Sequence, residues 1–209
     1  MEQREGVVKF RLDFHQKRCI TKEMTAELNG WRHVLHRLGL IGQEPERYQG
    51  LGFGNISCRT SDARSSFLIS GTQTGKSPFL SCSEYALVTQ CDPLTNSVSS
   101  MGLTKPSSEA LTHGQLYLLD VTIGSVVHAH SPEIWNQAEA MGLPRTPRDV
   151  AYGTVEMALA VDELFSLKSV RNCRLFVMDG HQDGVVSFGS NIEEACGTMI
   201  AALASAVAG

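Results

Sequence analysis

Two of the seven histidines in this 209-residue chain stand in the run Ser125-Val126-Val127-His128-Ala129-His130-Ser131. Side chains two apart on a β-strand leave the same face, with Cα atoms roughly 6.5 Å apart. Imidazoles so placed can converge on one ion at metal–nitrogen distances of about 2.0–2.1 Å. The preceding valines mark a buried strand and Pro132 ends it, which favours an ion over two satisfied polar side chains. A third ligand is needed, and His181 suits best. It follows the apolar run Leu175-Phe176-Val177-Met178 and sits in a loop rich in Gly and Asp. His33, His36 and His113 fall on predicted helices, and His15 lies in the charged N-terminal segment, so these compete less well. Imidazole ligands suit Zn²⁺ first, while manganese, iron, cobalt and nickel are also admissible.

A catalytic ion calls for a carboxylate nearby. Glu109, in Lys105-Pro106-Ser107-Ser108-Glu109, stands just inside a predicted helix N-terminus. The plain reading is an acid stabilised by the helix dipole. The functional one is a general acid/base, or a ligand displaced when substrate binds. His113, four residues on, shares that helix face and reads as a supporting or packing residue. Two glycine-rich segments, 52–57 and 70–76, could turn backbone N–H groups toward an anion, and Ser107 and Ser108 would add hydroxyl donors. Gly71 to Lys76 has one residue too few between its glycines for a Walker A loop, which argues against nucleotide hydrolysis.

The elements that must position these groups follow from periodicity. Residues 6–14 alternate apolar and polar side chains and predict a half-exposed strand. Met24, Leu28, Trp31, Val34, Leu35 and Leu38 predict an amphipathic helix over 22–39, with Thr21 as N-cap. Strands are predicted near 53–59, 66–70, 85–89, 96–101, 126–130, 173–178 and 185–188. Helices are predicted over 107–119, 132–141, 155–167 and 192–207, the second opened by proline and the first capped at Ser107 or Ser108. Strands and helices intersperse without regular βαβ alternation, so the class is α/β on a mostly antiparallel sheet. No linker divides the chain, which reads as a single domain over 1–209: an N-terminal strand segment, 1–20, and a core, 21–209.

Composition excludes several functions. Eighteen basic against twenty-two acidic residues give a net charge of −4, which suits neither nucleic acid nor a polybasic membrane surface. No apolar run is long enough to span a bilayer, and the N-terminus lacks a signal-peptide core. Six cysteines without a CxxC pair read as reduced thiols. A soluble cytoplasmic protein is expected.

Taken in order, Gly54-Asn55-Ile56-Ser57, Thr74-Gly75, Pro106-Ser107-Ser108-Glu109, His128-Ala129-His130 and Gly180-His181 resemble the class II aldolase/adducin family. The resemblance runs from about residue 22 to the C-terminus. It implies a three-layer α/β/α domain with a central, largely antiparallel sheet, and a homotetramer with active sites near subunit boundaries. Carried over by position, His128, His130 and His181 match the family's metal ligands. Glu109 matches the acid/base that can also complete the metal shell. Asn55, Thr74, Gly75, Ser107 and Ser108 match the positions that hold a substrate phosphate.

The implied activity is that of a metal-dependent lyase of carbohydrate metabolism, acting on a sugar-phosphate or other carbonyl substrate through a metal-stabilised enediolate. Aldol cleavage comes first, with epimerisation, dehydration or a non-catalytic adducin-like scaffold as alternatives. The chain departs from the family in three places. Ser70 to Gly75 carries extra residues, His181 is followed by Gln182-Asp183-Gly184, and the side chain usually supplied to a neighbouring site has no clear counterpart. Tyr152 or Asp149 could stand in for it, and Asp183 could orient His181 or serve as an additional acid/base.

Overall fold

The computed structural model of the chain describes residues 6–60 and 66–209. Its strands are β1 (Arg11–Gln16), β2 (Asn55–Arg59), β3 (Phe67–Ser70), β4 (Tyr85–Asp92), β5 (Ser97–Gly102), β6 (Ser125–His130), β7 (Leu175–Val177) and β8 (Gly184–Gly189). They join in one sheet, in the order β1-β5-β4-β3-β2-β6-β8-β7. Only β1–β5 is parallel, and the other pairings are antiparallel. A short turn joins β4 to β5. Between β4 and β5, Asp92 Oδ1 accepts the N–H groups of Leu94 and Thr95, and Asn96 adopts φ 51°.

Strand alternation divides the core between the two sheet faces. One face carries Phe67, Val88, Val126, Phe176 and Val186. It is covered by α2 (Ala110–Leu119), α4 (Val155–Ser166) and α5 (Lys168–Cys173). The other face carries Ile56, Leu68, Val127, Ala129 and Val185. Over it lie α1 (Lys22–Arg37), α3 (Pro132–Gln137) and α6 (Ile192–Ala208). The result is the expected α/β/α arrangement. In β6 every residue is buried, so the strand bearing the His-x-His pair is clamped on both faces.

Several elements differ from expectation for identifiable reasons. The N-terminal strand is displaced to 11–16, and residues 6–10 instead run beside the future site before Phe10 enters the core. In α1 the buried stripe is Thr25, Leu28, Arg32 and Leu35, whereas Met24, Val34 and Leu38 are exposed. The stripe turned because a charged residue, Arg32, has buried carbonyl partners, as described below. Helix α2 begins at Ala110 with Glu109 as its cap residue, because the Ser107 hydroxyl already accepts the Glu109 N–H at 3.2 Å. The predicted strand over 173–178 is shortened. Leu167, at ψ 129°, breaks α4, and α5 follows until Arg174 stops it in the left-handed region at φ 54°.

Candidate active site

At the C-terminal end of β6, His128 and His130 project toward the face covered by α2. Their Nε2 atoms lie 3.1 Å apart. His181 comes from the turn between β7 and β8, where its N–H donates to Met178 O at 2.9 Å. The ligand atoms of the three rings all lie within 4.8 Å of one another, and all three side chains are buried. Two nitrogens on a tetrahedral ion with bonds of about 2.0–2.1 Å are separated by roughly 3.3 Å, so the His128–His130 spacing fits one shared ion. Among the described residues this is the one group of His, Cys, Asp and Glu side chains so arranged.

Glu109 reaches the same place from the start of α2. Its Oε1 lies 3.6 Å from His181 Nδ1, and its Oε2 accepts from Thr112 Oγ1 at 2.8 Å. The carboxyl is 1% exposed, so helix start, hydroxyl donor and imidazole all hold it inside the protein. His113 stands aside from this group. Its Nδ1 meets Ser57 Oγ at 2.7 Å, and the same hydroxyl meets Tyr117 OH at 2.7 Å. Complete burial pushes the His113 pKa down to about 3, so the ring is neutral and serves a buried polar network.

Asn55, the first residue of β2, pairs directly with His128 across the sheet. It borders a small polar cavity that also takes in Thr74, Gly75, Ser107 and Ser108. All five anion-binding candidates therefore share one cavity, and among the described residues no charged side chain lines it. Two segments are stitched together to form its wall. Ser107 N–H donates to Ser70 O at 3.2 Å, and Thr72 N–H donates to Lys105 O at 3.1 Å. The Thr74 hydroxyl donates to Gly71 O at 2.8 Å, so its proton points into the loop. Gly75 has no room for a side chain, since a Cβ would lie 2.0 Å from Gly42 O.

Other residues join the site that sequence patterns did not single out. Gln73 accepts the Gly52 N–H through Oε1 at 3.1 Å, and Gly6 forms part of the cavity wall. Tyr48 sets its ring edge-on to His130, with centroids 4.6 Å apart. Its hydroxyl donates to Asp183 Oδ2 at 2.6 Å and accepts from Arg47 Nη2 at 3.0 Å. Burial, followed by the Asp183 contact, pushes the Tyr48 pKa well above the usual phenol value, so it remains a donor. Asp183 thus holds Tyr48 against His130. The His181 ring is packed by Tyr152, stacked at 4.5 Å, with the Lys9 ammonium 3.6 Å from the centre of the tyrosine ring. Of the two candidates for the side chain supplied to a neighbouring site, Tyr152 is thus buried against His181, whereas Asp149 is exposed.

Residues 46–207 match the family described as the Class II Aldolase and Adducin N-terminal domain. The chain belongs to this family. Within it, methylthioribulose-1-phosphate dehydratase of Granulibacter bethesdensis is 38% identical over 97 residues, which make up 46% of this chain and 41% of that protein. The aligned stretch is thus less than half of that relative. Two crystal structures share the class II aldolase fold. L-fuculose-1-phosphate aldolase from Thermus thermophilus superposes with a TM-score of 0.63 at 21% identity, covering 88% of this chain and 90% of that one. A sugar-phosphate aldolase from Thermotoga maritima gives 0.67 at 17% identity, covering 90% and 93%. No helix among the described residues is long and apolar enough to cross a membrane.

Proposed function

We propose that the chain is a metal-dependent lyase that cleaves a sugar phosphate, or a related carbonyl compound, by an aldol-type reaction. The observation that carries this reading is the convergence of His128, His130 and His181 beside Glu109, one strand from a polar cavity. His128, His130 and His181 would hold the ion, with Glu109 able to complete its shell. Three neutral imidazoles leave a divalent ion its full charge, which would stabilise negative charge developing on substrate oxygens. Zn²⁺ suits this donor set, and other divalent transition metals are compatible with it.

Glu109 moves the proton. Thr112 and the start of α2 fix one carboxyl oxygen, leaving the other on the His181 side. Asn55, Gly75, Ser107 and Ser108 bind the substrate phosphate through side-chain and backbone donors, with Thr74 shaping the loop. Holding the phosphate orients the carbonyl end toward the histidines, an entropic contribution of several kcal/mol in well-ordered sites. Tyr48 and Tyr152 pack the imidazoles and exclude water from behind them.

Dehydration is the second reading, favoured by the name of the dehydratase relative. Epimerisation is a third, and a scaffold role without an ion is a fourth. The one continuous sheet supports a single domain over 1–209, of which positions 1–5 lie outside the described residues. A homotetramer in the cytoplasm, with no nucleic-acid or membrane partner, completes the proposal. The test is elemental analysis after chelation and reloading with Zn²⁺, followed by assay against a panel of ketose phosphates. The expected result is about one ion per chain, lost in His128→Ala and His130→Ala, with Glu109→Gln keeping the ion and losing turnover. Metal content unchanged by both histidine substitutions would defeat the reading.

A further inference from the structure

The loop that forms one wall of the polar cavity is held from behind by α1. Arg32 is 1% exposed, although it carries a charge. Its Nη2 donates to Thr74 O at 2.7 Å, and its Nη1 donates to Pro78 O at 3.2 Å and to Ser77 O. One turn earlier, Asn29 grips the end of the same loop, donating to Leu80 O at 2.6 Å and accepting the Leu80 N–H at 3.0 Å.

A trans peptide is planar, so its C=O and N–H point in opposite directions. The carbonyl of Thr74 shares its peptide unit with the N–H of Gly75. Pulling that carbonyl toward Arg32 therefore turns the Gly75 N–H away from α1, toward the cavity that Gly75 lines. The main chain of Gly75 also interacts with His36, one turn further along α1.

Charge gives the arrangement a second meaning. Among the described residues Arg32 has no carboxylate within ion-pair distance, and its Nε has no hydrogen-bond partner. Its direct partners are carbonyl dipoles, with Glu84 and Tyr85 acting on it only from beyond bonding distance, so burial still depresses its pKa and leaves an unrecovered desolvation cost. An anion one peptide unit away would offset it.

We propose that Arg32 is a positioning residue for anion binding: it aims the Gly75 N–H into the cavity and supplies the buried positive charge behind it. This rests on the reading of that cavity as the substrate-phosphate site. Lysine cannot replace it fully, because a single ammonium cannot fork across the Thr74 and Ser77–Pro78 carbonyls.

The test uses inorganic phosphate as probe, by isothermal titration and thermal shift, on the full chain and on Arg32→Met, Arg32→Lys and Asn29→Ala. Wild type should bind phosphate. Arg32→Met should weaken it at least tenfold, and Arg32→Lys should fall between. Asn29→Ala loosens the same loop without touching Thr74, so it should lower thermal stability yet keep the phosphate Kd within about twofold. Should Arg32→Met fail to fold, Arg32→Lys against Asn29→Ala decides the matter. Phosphate binding by Arg32→Lys (and by Arg32→Met, if folded) within twofold of wild type would overturn the proposal. So would equal losses in the Arg32 and Asn29 variants, which would mark a merely structural loop anchor. Absence of phosphate binding by the wild-type chain would instead remove the phosphate reading of the cavity, and this proposal with it.

Discussion

Gly75 and Gly30 should respond oppositely to the same added methyl group. A Cβ on Gly75 would lie 2.0 Å from Gly42 O and 2.9 Å from Gly52 Cα, whereas ordinary contact begins at 3.4 Å. The Gly42 segment would have to retreat by about 1.4 Å, on the ordinary contact distance of packed atoms. It cannot do so cheaply, because Gly42 exchanges two backbone hydrogen bonds with Phe53, at 3.0 and 2.8 Å. Forcing extra volume into a closed packing costs about 1–3 kcal/mol. Moving the Gly75 N–H by a similar distance would also forfeit its bond to a bound anion. A hydrogen bond to a charged group is worth about 1.5–3 kcal/mol, or roughly 10- to 150-fold in affinity. Gly30, exposed in α1, has nothing within 4 Å of a built Cβ. Alanine there should gain about 0.5–1 kcal/mol from helix propensity. Urea unfolding of both variants, with phosphate titration of each, measures the contrast. If Gly75→Ala were as stable as wild type and bound phosphate equally well, the close packing of the cavity wall would be refuted.

Three further outcomes are expected. The His113 ring is neutral when folded, with its pKa down at about 3. The unfolded chain therefore takes up that proton first. Its contribution is complete above about pH 6.5 and falls by about 1.4 kcal/mol per pH unit below it. Urea unfolding in chelator between pH 7 and 4 should show a steeper loss for wild type than for His113→Gln, and equal slopes would contradict the assignment. Tyr48→Phe removes the donor from Asp183 and should cost about 1–3 kcal/mol. A double-mutant cycle with Asp183→Asn checks this, and a coupling energy near zero would sink it. Thr154 caps α4 by accepting the Met157 N–H at 3.2 Å, so Thr154→Ala should lower stability by about 0.5–2 kcal/mol in thermal unfolding.

What could be read from sequence was whatever follows a local rule. The His-x-His pair on a buried strand, the Thr21 cap and the proline-opened α3 each depend on neighbours in the chain, and each lies where the pattern put it. The site residues that escaped depend on partners distant in sequence. Arg32 is polar by type, yet it lies on the buried stripe of α1 because three carbonyls from residues 74–78 await it. Tyr48 gains its place from Asp183, 135 positions away. Tyr152 could be named from the resemblance, but not its contacts with His181 and with the N-terminal segment, whose Val7 N–H donates to its hydroxyl at 3.2 Å. Periodicity cannot report such pairings, because it carries no information on which loops meet.

The direct pairing of Asn55 with His128 has a practical meaning for any attempt to redesign the chain. Opposed residues of antiparallel strands are held about 4.5–5.5 Å apart by the ladder itself. The interval between the histidine end and the cavity end is therefore a fixed gauge, calibrated by the backbone of β2 and β6. A one-residue slip would turn every side chain of β2 to the opposite face, so intermediate settings do not exist. Engineers seeking a longer or shorter reactant should leave that pair and the Arg32-anchored loop alone and vary the side chains that line the cavity. The sheet acts as the ruler, and the side chains as its marks.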